Sequence, residues 1–252
     1  MSNLAPAAEA SAKIITFLAE CEQETGISEI SRGTGINKNM VFRILNTLEN
    51  EGWVYCTEQK YSLTLLLFRL ASKPISRLSL NTVATPILYD LLNKTGESTY
   101  LGILNNDKVL YLQHLDGVKS VRVAGRVGGE YDLYCSAPGK VLLAHADNAF
   151  IEEYTSRTLE KRTENSITEK SDLLEELEHI RQNGYATDHE EFGNGITCVA
   201  APIFDYTGKV IGTIGCSAFT TNNKCEEIIE HLLPEIVNAA KIISKRLGFK
   251  SR

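Results

Sequence analysis

Positive charge is scarce in this chain: 26 Lys and Arg stand against 32 Asp and Glu, a formal charge of −6. That balance excludes a protein that coats nucleic acid without regard to sequence, because such binding rests on a basic surface neutralising phosphates. Long apolar runs are missing as well. None approaches the roughly 18 residues of a membrane span, and no charged segment followed by an apolar core opens the chain, so no membrane partner and a cytoplasmic location are expected. The six cysteines, at 21, 56, 135, 198, 216 and 225, form no C-x-x-C pair and no Cys-His cluster. They offer no metal site of the zinc-finger type and read as reduced, mostly buried thiols. G-x-S-x-G, H-E-x-x-H and P-loop motifs are absent, which leaves no recognisable catalytic machinery.

What is present begins with residues 26–54, GISEISRGTGINKNMVFRILNTLENEGWV. Ser28 can cap a first short helix that stops near Gly33-Thr34-Gly35. Asn37 can cap a second, whose Val41, Ile44, Leu45 and Leu48 fall at i, i+3, i+4 and i+7 and so share a buried face. At about 100° per residue, Asn39, Phe42, Arg43 and Asn46 point the other way, a set suited to base edges and phosphates. The runs 53–55 and 60–63 flank a polar turn, Thr57-Glu58-Gln59, as the strands of a wing do. With Ile14, Phe17, Leu18 and Cys21 at helical spacing in residues 12–22, the pattern is a three-helix winged helix-turn-helix. Ser28, Lys38, Asn39, Phe42, Arg43, Asn46 and Lys60 are its candidate DNA-contacting residues. The first 72 residues carry six Lys or Arg against eight Glu, a net of −2. A few positions facing the duplex therefore have to do the binding, while acidic residues elsewhere limit non-specific contact.

Length suits two domains: a DNA-binding domain over 9–65, a linker helix over 66–80 with a proline break, and an effector and assembly domain over 81–252. Residues 81–94 read as a helix stopped by Gly96. Strands are expected at 99–104 and 109–114 around an Asn-Asn-Asp-Lys hairpin, at 118–124, and at 196–204 and 210–219. Further helices are expected to start at Pro138, to be capped by Thr168 and closed by Gly184, and to run from Cys225 to Leu247 with an interruption at Pro234. The fold class is α+β, an antiparallel sheet with packed helices behind a winged helix.

Two further stretches, YDLYCSAPGKVLLA at 131–144 and RQNGYATDHEEFGNGITCVAAPIFDYTGKVIGTIGCSAF at 181–219, together with the N-terminal motif, resemble the IclR family of bacterial transcriptional regulators. The likeness runs from about Ala12 to Phe249. Residues 60–71 and 133–144 look most like the branch that controls catabolism of sugar acids such as ketodeoxygluconate. The resemblance implies a C-terminal effector domain related to GAF folds, dimers often paired into tetramers on palindromic double-stranded operator DNA, and a small carboxylate effector. It implies no cofactor, metal or catalytic residue. The chain departs from the family's pattern in having only Lys13 as a basic residue before the first helix and Asn39-Met40 where Ser-Thr is common.

Carried over residue by residue, the effector-lining positions fall on Ala137, Pro138, Gly139, Asp188, Cys198, Gly215 and Ser217. Free N–H groups at a helix N-terminus suit a carboxylate, although Pro138 has none to donate and Gly215 lacks the hydroxyl some relatives carry. Asp188 can accept from ligand hydroxyls, and it suits a turn cap equally. Cys198 can line the wall or sit as a core thiol. Asp188, His189, Glu190 and Glu191 beside Cys198 contain the residue types of a thiol hydrolase. Neighbouring side chains on a strand point to opposite faces, however, so Asp188 and His189 cannot serve one triad. The competing expectation is a metabolite-binding or hydrolytic GAF-like protein whose N-terminal domain serves only assembly.

Overall fold

The computed structural model describes residues 5–67, 69–70, 79–220 and 225–250, which fall into two compact units divided after Arg77. In the first unit, α1 (Pro6–Glu20) packs on α2 (Ile27–Thr34) and α3 (Lys38–Asn50). Ile14, Leu18, Ile30, Val41, Ile44, Leu45, Leu48, Val54 and Tyr61 make their shared core. Helix α1 starts six residues earlier than its apolar spacing predicts, with Pro6 in the first turn, where a missing N–H does no harm. Asn37 caps α3 by accepting from the Met40 amide at 3.0 Å. Ser28 does not cap α2. Gly26 holds that position, extended and paired with Lys60, so the helix begins one residue before Ser28.

That pairing adds a short strand the sequence did not disclose: β1 (Thr25–Gly26) lies beside β3 (Lys60–Leu63), which pairs with β2 (Val54–Thr57). The wing turn is a two-residue loop, Glu58 and Gln59, with φ of 50° and 64°. Both lie in the left-handed region that matches the twist of a tight hairpin. Of the expected linker helix, residues 66, 67, 69 and 70 are helical. The remainder up to residue 78, including the expected proline break, lies outside the described residues.

The second unit is built on a six-stranded antiparallel sheet, in the order β6 (Glu130–Asp132), β5 (Lys108–Leu115), β4 (Ser98–Asn105), β9 (Val210–Phe219), β8 (Ile196–Phe204), β7 (Ala186–His189). Alternation along β8 and β9 divides the core in two. Val199, Ala201, Ile203, Ile214, Cys216 and Ala218 face α4 (Leu80–Thr95) and α8 (Cys225–Arg246). Cys198 and Ala200 face the other way, toward α5 (Ala137–Ala144), α6 (Asn148–Thr155) and α7 (Lys170–Asn183). Gly96 and Gly184 close α4 and α7 in left-handed conformations, as the sequence predicts.

Three expectations fail here. Residues 118–124 form no strand. They fold back so that the Val118 amide donates to the Gly96 carbonyl and Ser98 Oγ donates to the Val123 carbonyl, while 130–132 takes the outer edge of β5. Thr168 does not cap α7, because the first helical bond runs from the Leu173 amide to the Glu169 carbonyl and puts Glu169 at the cap. Pro234 does not interrupt α8, because Ile228, Ile229 and Leu232 before it and Ile236, Ala239, Ala240 and Ile243 after it bury one continuous face that holds both halves on the sheet. Helix α6 was not foreseen.

Strand β5 carries a bulge. Leu101 pairs with Gln113 and Gly102 with Tyr111, leaving Leu112 without a partner on β4. Tyr111 and His114 consequently share a face and lie nearly parallel, with ring centroids 6.1 Å apart.

Gly215 is required by packing. A Cβ there would lie 2.2 Å from the Val199 carbonyl oxygen and 2.4 Å from the Tyr100 hydroxyl. Because the first contact is backbone in the adjacent strand, it cannot move aside. Gly215→Ala should destabilise this unit by about 1–3 kcal/mol, the usual overpacking range, measured as a lower urea midpoint. Tyr100→Phe in the same chain should not restore it.

Candidate functional site

Two faces carry the residues singled out in the sequence. On the first unit, Ser28, Lys38, Asn39, Phe42, Arg43, Asn46 and Lys60 are all exposed. Asn39, Phe42, Arg43 and Asn46 follow one another around the outer side of α3, opposite the buried Val41, Ile44, Leu45 and Leu48. Phe42 is 49% exposed, a large apolar ring left in water on a helix that could have buried it. Lys38, Arg43 and Lys60 enter no ion pair among the described residues, whereas Lys13 on α1 is bound to Glu9 at 2.7 Å. The charges on the outer side of α3 and beside the wing are therefore uncommitted.

On the second unit, cross-strand register puts four polar residues in one row: Asp188 opposite Cys198, Cys198 opposite Ser217, and Ser217 opposite Ser98. Residues directly opposite in an antiparallel pair project from the same face, so the row runs across β7, β8, β9 and β4 on the side covered by α5. Cys198 Sγ donates to Ser217 Oγ at 3.2 Å. Burial, followed by the negative charge of Asp188, pushes the Cys198 thiol well above its ordinary range, which keeps it protonated and unsuited to act as a nucleophile. The next row is Ala186, Ala200, Gly215, Tyr100 and His114. Its small members make room for the Tyr100 phenol, which donates to the Val199 carbonyl at 3.2 Å. Gly215 is thus covered by Tyr100, which occupies the space where an effector would have to meet it. Tyr100 stacks on Tyr111 at 4.8 Å, Tyr111 lies 4.3 Å from Tyr131, and Tyr131 meets Phe192 edge-on at 5.8 Å.

Ala137, Pro138 and Gly139 open α5 and are buried. Gly139 presses on the preceding chain, since a Cβ there would lie 2.5 Å from the Asp132 carbonyl oxygen. The expected anion cradle is narrow. Ser136 Oγ accepts the Gly139 amide and the Ser136 carbonyl accepts the Lys140 amide, while Pro138 has no N–H. Ala137 keeps the one first-turn amide not engaged by Ser136.

The sequence reading missed the group that fixes this corner. Lys140, with its side chain 1% exposed, lies 2.9 Å from Glu176 Oε1 on α7 and 2.6 Å from Glu191 Oε1 after β7. Glu191 in turn donates its amide to Asp188 Oδ1 at 2.7 Å, so Asp188 does cap a turn with one oxygen. Among the described residues, three buried side-chain polar atoms have no partner: His114 Nδ1, Asp188 Oδ2 and Glu191 Oε2. Burial, reinforced by the neighbouring Glu191 charge, raises the Asp188 carboxyl from 3.8 to about 7. His189 points to the opposite face and is exposed, as the strand argument requires.

Comparisons with known proteins place both faces in context. Residues 7–57 match the IclR helix-turn-helix domain, and residues 72–245 match the family described as bacterial transcriptional regulator IclR C-terminal. The chain belongs to the IclR family. It is 35% identical over 239 residues to the HTH-type transcriptional regulator KdgR of Escherichia coli, covering 94% of this chain and 90% of that one. It is 31% identical over 246 residues to the glycerol operon regulatory protein of Streptomyces coelicolor, covering 95% of each. An IclR transcriptional regulator from Silicibacter shares the fold with a TM-score of 0.85 over 98% of both chains, at 22% identity. The protein is accordingly a helix-turn-helix transcriptional regulator and not an enzyme. No helix among the described residues is long and apolar enough to cross a membrane.

A carboxyl whose folded pKa lies above its unfolded value favours the folded state fully below the unfolded pKa, and that advantage is lost as pH rises through the folded one. For Asp188 the window is about pH 4 to 7, and the penalty above it is on the order of a few kcal/mol. Asp188→Asn keeps the cap oxygen and carries no charge. Its melting temperature should exceed that of the natural chain at pH 8 and converge with it near pH 5.

Proposed function

We propose that the protein represses a catabolic operon by binding a palindromic operator as a dimer or a pair of dimers, and that a small hydroxylated organic acid controls its operator affinity. The observation that carries the effector part is the in-register row Asp188, Cys198, Ser217 and Ser98, with Asp188 Oδ2 buried and unpartnered. A buried carboxyl oxygen without a partner suits a ligand hydroxyl, which can donate to it or accept from it according to the protonation of the carboxyl. The Ala137 amide at the N-terminus of α5 takes the acid's carboxylate, Asp188 and Ser217 take hydroxyls, and Cys198 forms the wall. Tyr100 stands between Gly215 and the effector. A DNA-binding transcriptional repressor, YiaJ of Escherichia coli, is 30% identical over 245 residues, and the likeness to the sugar-acid branch at 60–71 and 133–144 points the same way. The chain acts in the cytoplasm, where its operator is.

On the DNA side, α3 enters the major groove with Asn39, Phe42, Arg43 and Asn46, Lys38 meets the backbone, Ser28 approaches it from α2, and Lys60 follows the wing. Arg43→Ala should weaken operator binding. If Arg43 reads a guanine, discrimination at one base should fall by about 1–3 kcal/mol; if it holds a phosphate, all sequences should weaken alike and the salt slope should drop by about one. Unchanged operator affinity would remove α3 from the interface. Light scattering should find a dimer or tetramer, since one winged domain cannot span two half-sites.

An effector shifts this equilibrium only by binding the two forms unequally, and the coupling is reciprocal, typically about 5- to 150-fold. Operator titrations of the natural chain and of Asp188→Asn, with and without the acid identified by screening, test the reading. The variant should lose the response to the acid while its ligand-free titration still gives a binding curve. A full response in the variant would place the effector elsewhere.

A further inference from the structure

We propose that the end of the effector unit remote from Asp188 holds a second ligand site, a cavity with an apolar floor and a rim of lysines that takes the alkyl chain and the carboxylate of a fatty acid. This site stands apart from the effector reading above, and neither depends on the other. Strand β7 pairs with β8 only as far as Ala200, so among the described residues the edge of β8 from Ala201 to Phe204 has no strand beside it. Pro202 suits that edge, because it has no N–H to leave unpaired. Here a cavity of about 840 Å³ opens, lined by this edge, the C-terminal part of α8 and the chain that follows it. From Cys198 to Ala201–Phe204 is roughly 10–20 Å along β8 at the usual strand rise, which keeps the cavity clear of the polar row.

The floor is assembled by a reversal of the chain at the end of α8. Gly248, in a left-handed conformation with φ of 90°, turns the backbone, and the Phe249 amide donates back to the Ser244 carbonyl at 2.9 Å. The Phe249 ring is thereby laid on Phe204, with centroids 4.8 Å apart and planes 19° apart. Ser244 Oγ accepts the Phe204 amide at 3.0 Å and ties helix to strand edge. Ala201, Pro202, Val237 and Ala240 complete the apolar part of the lining.

Lys241 and Lys245 stand one turn apart on α8, and Lys250 follows the reversal. All three are exposed, none enters an ion pair among the described residues, and no Asp or Glu lines the cavity. In a chain of net charge −6 this is positive charge without local compensation, set above an apolar floor. That combination selects an anion with an apolar body. An apolar cavity of about 150 Å³ already holds one benzene ring, so this one has room for a long chain. A nucleic-acid phosphate would meet the lysines and leave the floor uncovered, and an acidic peptide would set unpaired backbone groups against it.

The test is calorimetric titration of the full chain at neutral pH with hexanoate, octanoate and decanoate below their micellar concentrations, alongside 1-octanol and octyltrimethylammonium. One decanoate should bind per chain, with affinity rising about three- to fourfold for each methylene buried. Octanoate should bind about threefold tighter than octanol, and octyltrimethylammonium more weakly than either. Replacing Lys241, Lys245 and Lys250 together by Gln should bring the octanoate-to-octanol ratio close to one and leave the dependence on chain length. Val237→Trp, which fills the cavity, should weaken decanoate about tenfold or more, with circular dichroism confirming the fold; if it does not fold, the lysine variant decides alone. An unchanged ratio in the lysine variant, or decanoate bound normally by a folded Val237→Trp, would overturn the site. Affinity independent of chain length, several decanoates per chain, or octyltrimethylammonium binding as well as octanoate would overturn the ligand class. A natural chain that binds no decanoate, with Val237→Trp changing the assembly seen by light scattering, would give this face to a second copy of the chain instead.

Discussion

The burial of Lys140 is the constraint on which the effector unit depends. A cation out of water is tolerated only when it is paired and hydrogen-bonded, and Glu176 and Glu191 provide the partners from two different elements. One ammonium therefore ties the start of α5 to α7 and to the turn after β7. Burial alone would lower its pKa, but the two carboxylates more than compensate and keep it charged. Remove Lys140 and Glu191 is left as an uncompensated charge beside Asp188. This arrangement explains how a protein can hold Asp188 in a fixed pose while leaving one of its oxygens without a donor.

The sheet separates structural from chemical duties by residue parity. Odd positions of β8 from Val199, and even positions of β9 from Ile214, pack apolar side chains against α4 and α8. The alternate positions carry Cys198, Ala200, Gly215 and Ser217. An apolar layer on one side can then stay fixed while the polar row on the other varies from one family member to another, which suits a fold whose members share their architecture at 22% identity.

Much of this was legible in the sequence because local periodicity and end signals dominate where elements are short and amphipathic. The Val41, Ile44, Leu45 and Leu48 stripe, the Asn37 cap and the strands 196–204 and 210–219 follow directly from pattern. Placement of Asp188, Cys198 and Ser217 on one face came through family likeness, and strand register supplies its physical reason. What escaped was set by distant partners. β1 exists because β3 offers it an edge, residues 118–124 yield that edge of β5 to 130–132, and Thr168 loses the cap to Glu169. Lys140 did leave a signal: a single charge inside the apolar helix APGKVLLA can be buried only with a carboxylate partner. The pairing of Gly215 with Tyr100 left none, since they lie over a hundred residues apart in the chain and nothing local links them.

The unpaired Leu112 on β5 gives the chain a reading frame of its own. From Tyr111 to His114 is three residues, an odd step that in a regular strand would put the two rings on opposite sides of the sheet. Deleting Leu112 itself would leave Tyr111 opposite Gly102 and Gln113 opposite Leu101 in unbroken register, with both rings still on one face, whereas deleting a residue where the pairing is already regular would turn inside out everything on one side of the cut. Strand length away from the bulge is thus as constrained as side-chain identity, while the bulged position is the one place on β5 where a residue can be lost with every other side chain keeping its face.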